Sequence, residues 1–486
     1  MIELTTKIHD KFTLEFKVGF NTDNAVKPMR YCDFVMNTWI FVPNSLDINA
    51  AKYSKDDFYR DLKSGVRLIT PSYGLHDLAN DELLLPNKAL INNFNNLSIA
   101  PDDTQDLIHA IKMYCAIAKS AIRDESHAII QQQNIEGIVK STTLFLDDSC
   151  KLIHRFRDLL NRLNEETDER IQQVLYYGDE FLSNVLEKYT YRIHDAIRHS
   201  HPEVYPILEM HFKEVLLNER AYREQLGYLC VKADDPDGNA DFVFRASLLK
   251  KFTESDLYLN ATKRKNTFLV EQILYSLAAG AAMVVATLSS FFFQQRYGNF
   301  TLPFLIALVI SYMFKDRLKD WLRLLFARRV SSKVFDTRTD FRIKGKHIGW
   351  SKDSVDFIDS EKVLPEVMKL RSRNPLFAEV SGKDEKVILF RKKVQLWPHE
   401  LSKASPYPLR GINDILRYSI MEYTRKMDNP SFPLSGTWED NEYKPIEGKK
   451  IYRLTFVIQC VYDGKTEYRR VMVRCDRNGI VDIEQL

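Results

Sequence analysis

The chain has 486 residues, 28% charged and 45% hydrophobic, a balance that excludes a disordered polymer and leaves room for several folded domains. A net charge of +3 gives no global field for nucleic acid, and a mean hydropathy of −0.31 confines any membrane segment to a minor insert. The cysteines Cys32, Cys115, Cys150, Cys230, Cys460 and Cys475 form no CxxC pair. Their scatter argues against a zinc site or a disulfide framework and suits a reducing compartment.

Residues 1–98 read as a mixed α/β unit. The opening stretch MIELTTKIHDKFTLEF has acidic residues and no apolar core, so it does not read as a signal peptide. Phe12, Leu14, Phe16, Val18 and Phe20 alternate with polar residues and predict a half-buried strand. DFVMNTWIFV (33–42) predicts a more fully buried strand. Ser54 and Asp57 form a capping-box pattern opening a short helix, and VRLIT predicts a strand before Pro71.

Residues 99–262 predict a bundle of long helices. One apolar stripe runs through Leu107, Ile111, Tyr114, Ala118, Ala121 and Ile122, and a second through Phe145, Leu152, Phe156, Leu159 and Leu163. Ile171, Val174, Gly178, Phe181 and Val185 form a third. The last helix of this bundle is expected to run straight into the next segment.

That segment, 263–330, carries the strongest signal. Gln272 to Phe293 contains 22 residues without a charge, and Tyr297 to Phe314 a further 18. As helices at about 268–293 and 297–314 they would run roughly 33 Å and 27 Å, against a hydrocarbon core of about 30 Å. Lys263, Arg264 and Lys265 precede the first, and Lys315, Arg317, Lys319, Arg323, Arg328 and Arg329 follow the second. The island between them carries one charge, Arg296. By the positive-inside rule this is a transmembrane hairpin with cytoplasmic flanks and the island as its outer tip.

On the first helix Ala278, Ala282, Ala286 and Ser290 recur every four residues, a small-residue face suited to close packing on the second helix or on another copy. Glu271 falls at the cytoplasmic end, within reach of water. The stretch FKDRLKDWLRLLFARR is expected to continue the second helix or to lie along the inner surface. Lys315, Arg317, Trp321, Arg323, Arg328 and Arg329 then stand at the interface.

Residues 331–486 read as an α+β unit. KVILFRKKVQLW predicts a strand, GINDILRYSIMEYTRKM an amphipathic helix, and Asp463-Gly464 and Asn478-Gly479 two hairpin turns in the C-terminal strands.

Catalytic motifs find little support. His194, His199, His201 and His211 cluster with Glu203 and Glu209, but His194 and His199 are five apart and share no helix face. DDPDGNAD (234–241) opens like a calcium loop at Asp235, Asp237, Asn239 and Asp241. It then has Ala240 where glycine is needed and Ala246 where a bidentate glutamate belongs. VSGKDEK (380–386) lacks the first glycine and the Ser/Thr of a phosphate loop, and Glu385 and Lys386 point to opposite strand faces. Arg470 and Arg474 share a strand face that reads as solvated.

The fold class expected is therefore a multidomain α+β membrane protein: N-terminal α/β unit, helical bundle, two-helix hairpin and C-terminal α+β unit. Its expected partners are the lipid bilayer and a protein partner or further copies of itself, with no nucleic acid and no cofactor. The functional expectation is a two-pass, membrane-tethered scaffold, sensor or regulator with both termini cytoplasmic, with a bacterial inner membrane as compartment. A membrane-anchored hydrolase and an oligomeric membrane-perturbing effector are the alternatives.

Overall fold

A computed structural model describes residues 1–22, 30–96, 101–163, 168–266, 268–298, 301–331, 334–343, 345–371, 385–439 and 442–485. With 52% helix and 29% strand the chain is of mixed class. It opens with β1 (Ile2–Asp10), β2 (Thr13–Asn21), β3 (Cys32–Pro43), α1 (Lys55–Asp61) and β4 (Leu62–Leu68). Helices α2 (Leu75–Asn80), α3 (Leu85–Asn95), α4 (Pro101–Gln131), α5 (Ile135–Leu160), α6 (Glu169–Ser200), α7 (Tyr205–Gln225) and α8 (Pro236–Thr253) follow. Next come β5 (Asn260–Lys265), α9 (Phe268–Tyr297), α10 (Leu302–Ser331), β6 (Thr337–Ile343), β7 (Lys346–Ile358), α11 (Pro365–Arg371) and β8 (Glu385–Leu396). After α12 (Pro398–Lys403) the chain forms β9 (Gly411–Ser419), α13 (Met421–Thr424) and four short strands, β10–β13, between Ser431 and Lys449. It closes with β14 (Tyr452–Tyr462), β15 (Lys465–Asp476) and β16 (Gly479–Gln485).

Two compact units result. One comprises Met1–Val66, Asn260–Ala404 and Gly411–Leu486; the other comprises Arg67–Leu259 with Ser405–Arg410. The N-terminal and C-terminal units expected from sequence are thus interleaved in one. Its larger sheet has the order β16-β15-β14-β3-β8-β7-β6-β5, with β3 from the first fifty residues inserted between strands from the last hundred. Its smaller sheet runs β1-β2-β9-β4.

The two sheets pack face to face. Phe16 of β2 meets Phe456 of β14 at 5.4 Å between ring centroids, Phe20 meets Phe34 at 5.5 Å, and Phe58 of α1 meets Phe390 of β8 at 5.6 Å. On the far side of the large sheet Val367 of α11 and Val363 just before it pack against Trp39, Phe41, Val387 and Val457. The Ser54–Asp57 capping box is present at the start of α1, each side chain meeting the other's backbone N–H. At Asp463-Gly464 both residues have positive φ, 47° and 72°, as a tight two-residue turn between twisted strands requires.

Residues 411–419 correct an expectation. They form β9 rather than the start of an amphipathic helix, because Ile412, Asp414, Leu416 and Tyr418 also fit a period of two. Pairing with β2 along Thr13–Asn21 decides between the periods.

The helical unit begins at Arg67, ahead of residue 99. The apolar stripes of α4, α5 and α6 are buried, with Tyr114 stacked on Phe156 at 5.7 Å. Gly178 allows that approach, since a Cβ there would stand 2.7 Å from Phe156. Arg157 crosses the interior, 2.9 Å from Asp179 and 2.6 Å from Glu219, with its guanidinium 3.5 Å from the Tyr222 ring centroid.

Candidate functional site

The feature that sets this chain apart physically is α9 with α10. Over Gln272–Tyr297, α9 has a mean hydropathy of 1.8 and is long and apolar enough to cross a membrane; 11% of that window is buried. Ile273 is 61% exposed, Leu288 63% and Leu302 of α10 74%. A continuous apolar surface of this kind is not stable in water and marks a membrane or protein contact.

The helix ends differ from those expected. α9 continues through Gln294, Gln295 and Arg296 to Tyr297, because an uncapped polar sequence can extend a helix as well as end one. The turn begins at Gly298, whose φ is +77°. Tyr297 therefore belongs to the first helix, and the second starts at Leu302. Its apolar stretch, Leu302–Phe314, is 13 residues or roughly 20 Å long. From Lys315 the same helix continues as a charged stretch to Ser331.

The Ser311 hydroxyl donates to the Ala286 carbonyl at 3.2 Å, and the Arg323 guanidinium lies 5.3 Å from the Tyr275 ring centroid. These two contacts fix an antiparallel register that brings Lys315 and Lys319 to the level of Ala282 and Ala278. Ala278 and Ala282 are fully buried, and Ala286 and Ser290 half-buried. Lys315 lies 3.6 Å from the Tyr312 ring centroid, Arg317 is exposed, and Trp321 is exposed on the outer side. The side chains of Glu271, Arg328 and Arg329 lie outside the described residues, as does most of VSGKDEK. Near the tip an open apolar groove of about 520 Å³ is lined by Phe293, Tyr297, Leu302, Ile306, Ile310 and Phe314.

The base of the hairpin is built into the sheet. β5 intervenes between α8 and α9, correcting the expectation of a direct run, and it carries Lys263, Arg264 and Lys265 as an edge strand. β5 pairs with β6 from Asn260↔Arg342 to Lys265↔Thr337, so the helices leave and re-enter through adjacent strands. The Asn266 N–H then donates to the Asp336 carbonyl at 3.0 Å, and its side-chain amide to the Phe335 carbonyl at 3.2 Å.

Asp336 is the hub of this junction. Its carboxylate accepts from Lys55 at 2.9 Å, from the Tyr59 hydroxyl at 3.1 Å and from the Val355 N–H at 2.9 Å. Lys55 also reaches Asp356 at 3.0 Å, which Arg391 meets at 2.7 Å. Burial and the nearby Asp336 carboxylate push the Tyr59 phenol well above its ordinary range, so it stays protonated and donates to Asp336. Sequence reasoning missed this hub, because Lys55 and Tyr59, neighbours on α1, lie 281 and 277 positions from Asp336 and meet it only through the fold.

The clustered histidines take separate partners. His194 meets the Tyr205 hydroxyl at 3.1 Å and Asp195 at 3.0 Å, His199 bonds the Asp195 carbonyl, and His201 lies 3.5 Å from Glu203. Asp235 caps α8, accepting from the Gly238 N–H at 2.9 Å, so DDPDGNAD opens a helix and not a calcium loop. Among the described residues no group of three His, Cys, Asp or Glu side chains is arranged to hold a metal. Between the sheets, the space beside Phe58, Phe390, Tyr418 and Phe456 is about 30 Å³, room for one water.

Compared with models of known protein families, with curated proteins and with solved structures, the chain matches none.

Proposed function

We propose that this chain is a membrane-tethered scaffold or regulatory protein, inserted as a two-pass helical hairpin with its soluble units on one cytoplasmic face. The carrying observation is the exposed apolar α9–α10 pair hung between adjacent, hydrogen-bonded strands of a folded sheet. A flexible linker would merely localise the chain; strand pairing up to Asn266 and Asp336 ties the sandwich to the helices and gives partners a fixed presentation.

The charged half of α10 supports a role for protein contacts. A hydrocarbon core of about 30 Å is deeper than the roughly 20 Å apolar stretch of α10, so in a spanning hairpin Lys315, Asp316 and Arg317 would lie within the hydrocarbon rather than at the interface expected from sequence. Lysine and arginine can snorkel to the interface, whereas Asp316 needs a partner; Lys315 and Lys319 each stand 3.9 Å from it. Another copy or a heterologous partner beside α10 would cover this stretch.

The test is purification of the full-length chain in mild detergent followed by native mass spectrometry. A stable heteromeric partner or a defined homo-oligomer is expected. A bare monomer that binds nothing would overturn the scaffold reading.

A further inference from the structure

On the large sheet, register aligns four cations in one row. Arg264 of β5 pairs with Arg338 of β6, Arg338 with Lys352 of β7, and Lys352 with Lys393 of β8. Directly paired residues share a sheet face, so all four side chains rise from the same side, opposite the sandwich interior. At about 4.8 Å between strands the row spans roughly 14 Å. Like charges placed opposite one another destabilise a sheet, and this row contains three such pairs in succession.

Two carboxylates offset part of the repulsion. Asp340 lies 2.9 Å from Arg338, and Asp33 lies 3.8 Å from Lys393. Towards the hairpin the next cation, Arg391, is met by Asp356, and Lys55 of α1 lies on Asp336. Arg264 and Lys352 have no carboxylate partner among the described residues. Lys352 is half-buried, stands over the Trp350 ring at 4.8 Å, and has its pKa lowered by burial and by the cations on either side. Trp350 is itself fixed by donation from its indole N–H to Gln395 at 3.1 Å.

Charged residues on an edge strand are a common guard against unwanted pairing, and that explains Arg264. It does not explain Lys352 and Lys393, which lie two and three strands inside the edge. A row of fixed donors with net positive charge is what linked phosphate groups require.

We infer that the Arg264–Arg338–Lys352–Lys393 row is a binding site for a ligand bearing two or more phosphates. The inference is independent of whether the hairpin spans a bilayer. A soluble polyphosphate and a polyphosphorylated lipid headgroup share this chemistry, and separate arms of one experiment distinguish them.

The full-length protein in detergent is titrated calorimetrically with sodium tripolyphosphate. In parallel, its binding to vesicles of phosphatidylcholine alone is compared with binding to vesicles that also contain a phosphatidylinositol bisphosphate. The variant is Arg264→Gln with Lys352→Gln, chosen because it orphans no carboxylate. Lys465→Gln, at the exposed β14–β15 turn, is the control. Tripolyphosphate binding weakened about tenfold or more in the double variant, and unchanged in the control, supports a soluble ligand. Preference for the phosphoinositide vesicles without tripolyphosphate binding, lost in the double variant, supports a headgroup. Equal behaviour of wild type and double variant in both arms, or an equal loss in the control, overturns the proposal.

Discussion

Replacing Lys392 by Met tests how the two sheets are joined. Lys392 lies on β8 with 2% of its side chain exposed, its Nζ 3.0 Å from Asp353 and 2.7 Å from Asp414. Asp353 is its register partner on β7, whereas Asp414 comes from β9 of the smaller sheet. Burial alone would lower the pKa of the ammonium; the two carboxylates outweigh it and hold the group well above the ordinary lysine range. Methionine keeps the apolar stem and leaves two buried carboxylates facing each other. Breaking such an arrangement from one side costs about 3–5 kcal/mol. All five tryptophans lie in the sandwich-containing unit, so a denaturant titration of the full chain in detergent, followed by tryptophan fluorescence, reports on it. Because the folded pKa of Lys392 is raised, its contribution is complete below the unfolded lysine value of about 10.4. That contribution is lost only as pH rises through the folded value. Wild type should therefore show no loss from this group between about pH 7 and 10. A loss below about 1 kcal/mol at neutral pH, the range of an exposed pair, would mean that Lys392 does not join the two sheets as a buried ion pair.

Asp256 gives a second pH test. Burial would raise its pKa, but His109 at 2.6 Å and Lys112 at 3.0 Å hold it down to about 2. Its depressed value contributes about 2 kcal/mol above the unfolded value, lost as pH falls towards about 2. Acid unfolding followed by circular dichroism should become less steep in Asp256→Asn, and an unchanged acid limb would contradict the assignment. Ala282→Leu overfills a fully buried position on α9 and should cost about 1–3 kcal/mol of hairpin packing. With cysteines at Ala286 and Ser311, disulfide yield should fall on adding that substitution; an undiminished yield would mean the small-residue face is not packed on α10. Ser54→Ala removes the capping box of α1 and should lower stability by about 1 kcal/mol in the tryptophan-detected titration.

Local signals in the sequence were readable because local physics decided them. The alternation of Phe16, Val18 and Phe20, the capping box at Ser54 and the Asp463-Gly464 turn each depend on neighbours within a few residues. The apolar runs around residues 272–314 locate α9 and α10, but not their ends. A polar island extended α9 through Tyr297, and α10 proved apolar for only half its length. What sequence patterns could not provide was non-local. Nothing in DFVMNTWIFV indicates that β3 inserts between β14 and β8, a pairing that merges the two ends of the chain into one unit. In RKKV, strand parity with Phe390 and Val394 decides that Lys392 faces inwards while Arg391 and Lys393 face out, and that signal was available. The convergence of Lys55, Tyr59 and Asp336 was not, because no spacing rule links residues nearly three hundred positions apart.

Cysteine accessibility in sealed membranes distinguishes a hairpin that crosses the bilayer from one that does not. Single cysteines at the tip, Tyr297→Cys, and on the basal strand, Lys263→Cys, are probed in the full-length protein with a membrane-impermeant maleimide from each side. Before labelling, the membranes are stripped with alkaline carbonate. The protein should survive stripping, and the tip should be labelled from the face opposite the basal strand. Release by carbonate, or labelling of both positions from the same face, would contradict a hairpin that crosses the bilayer.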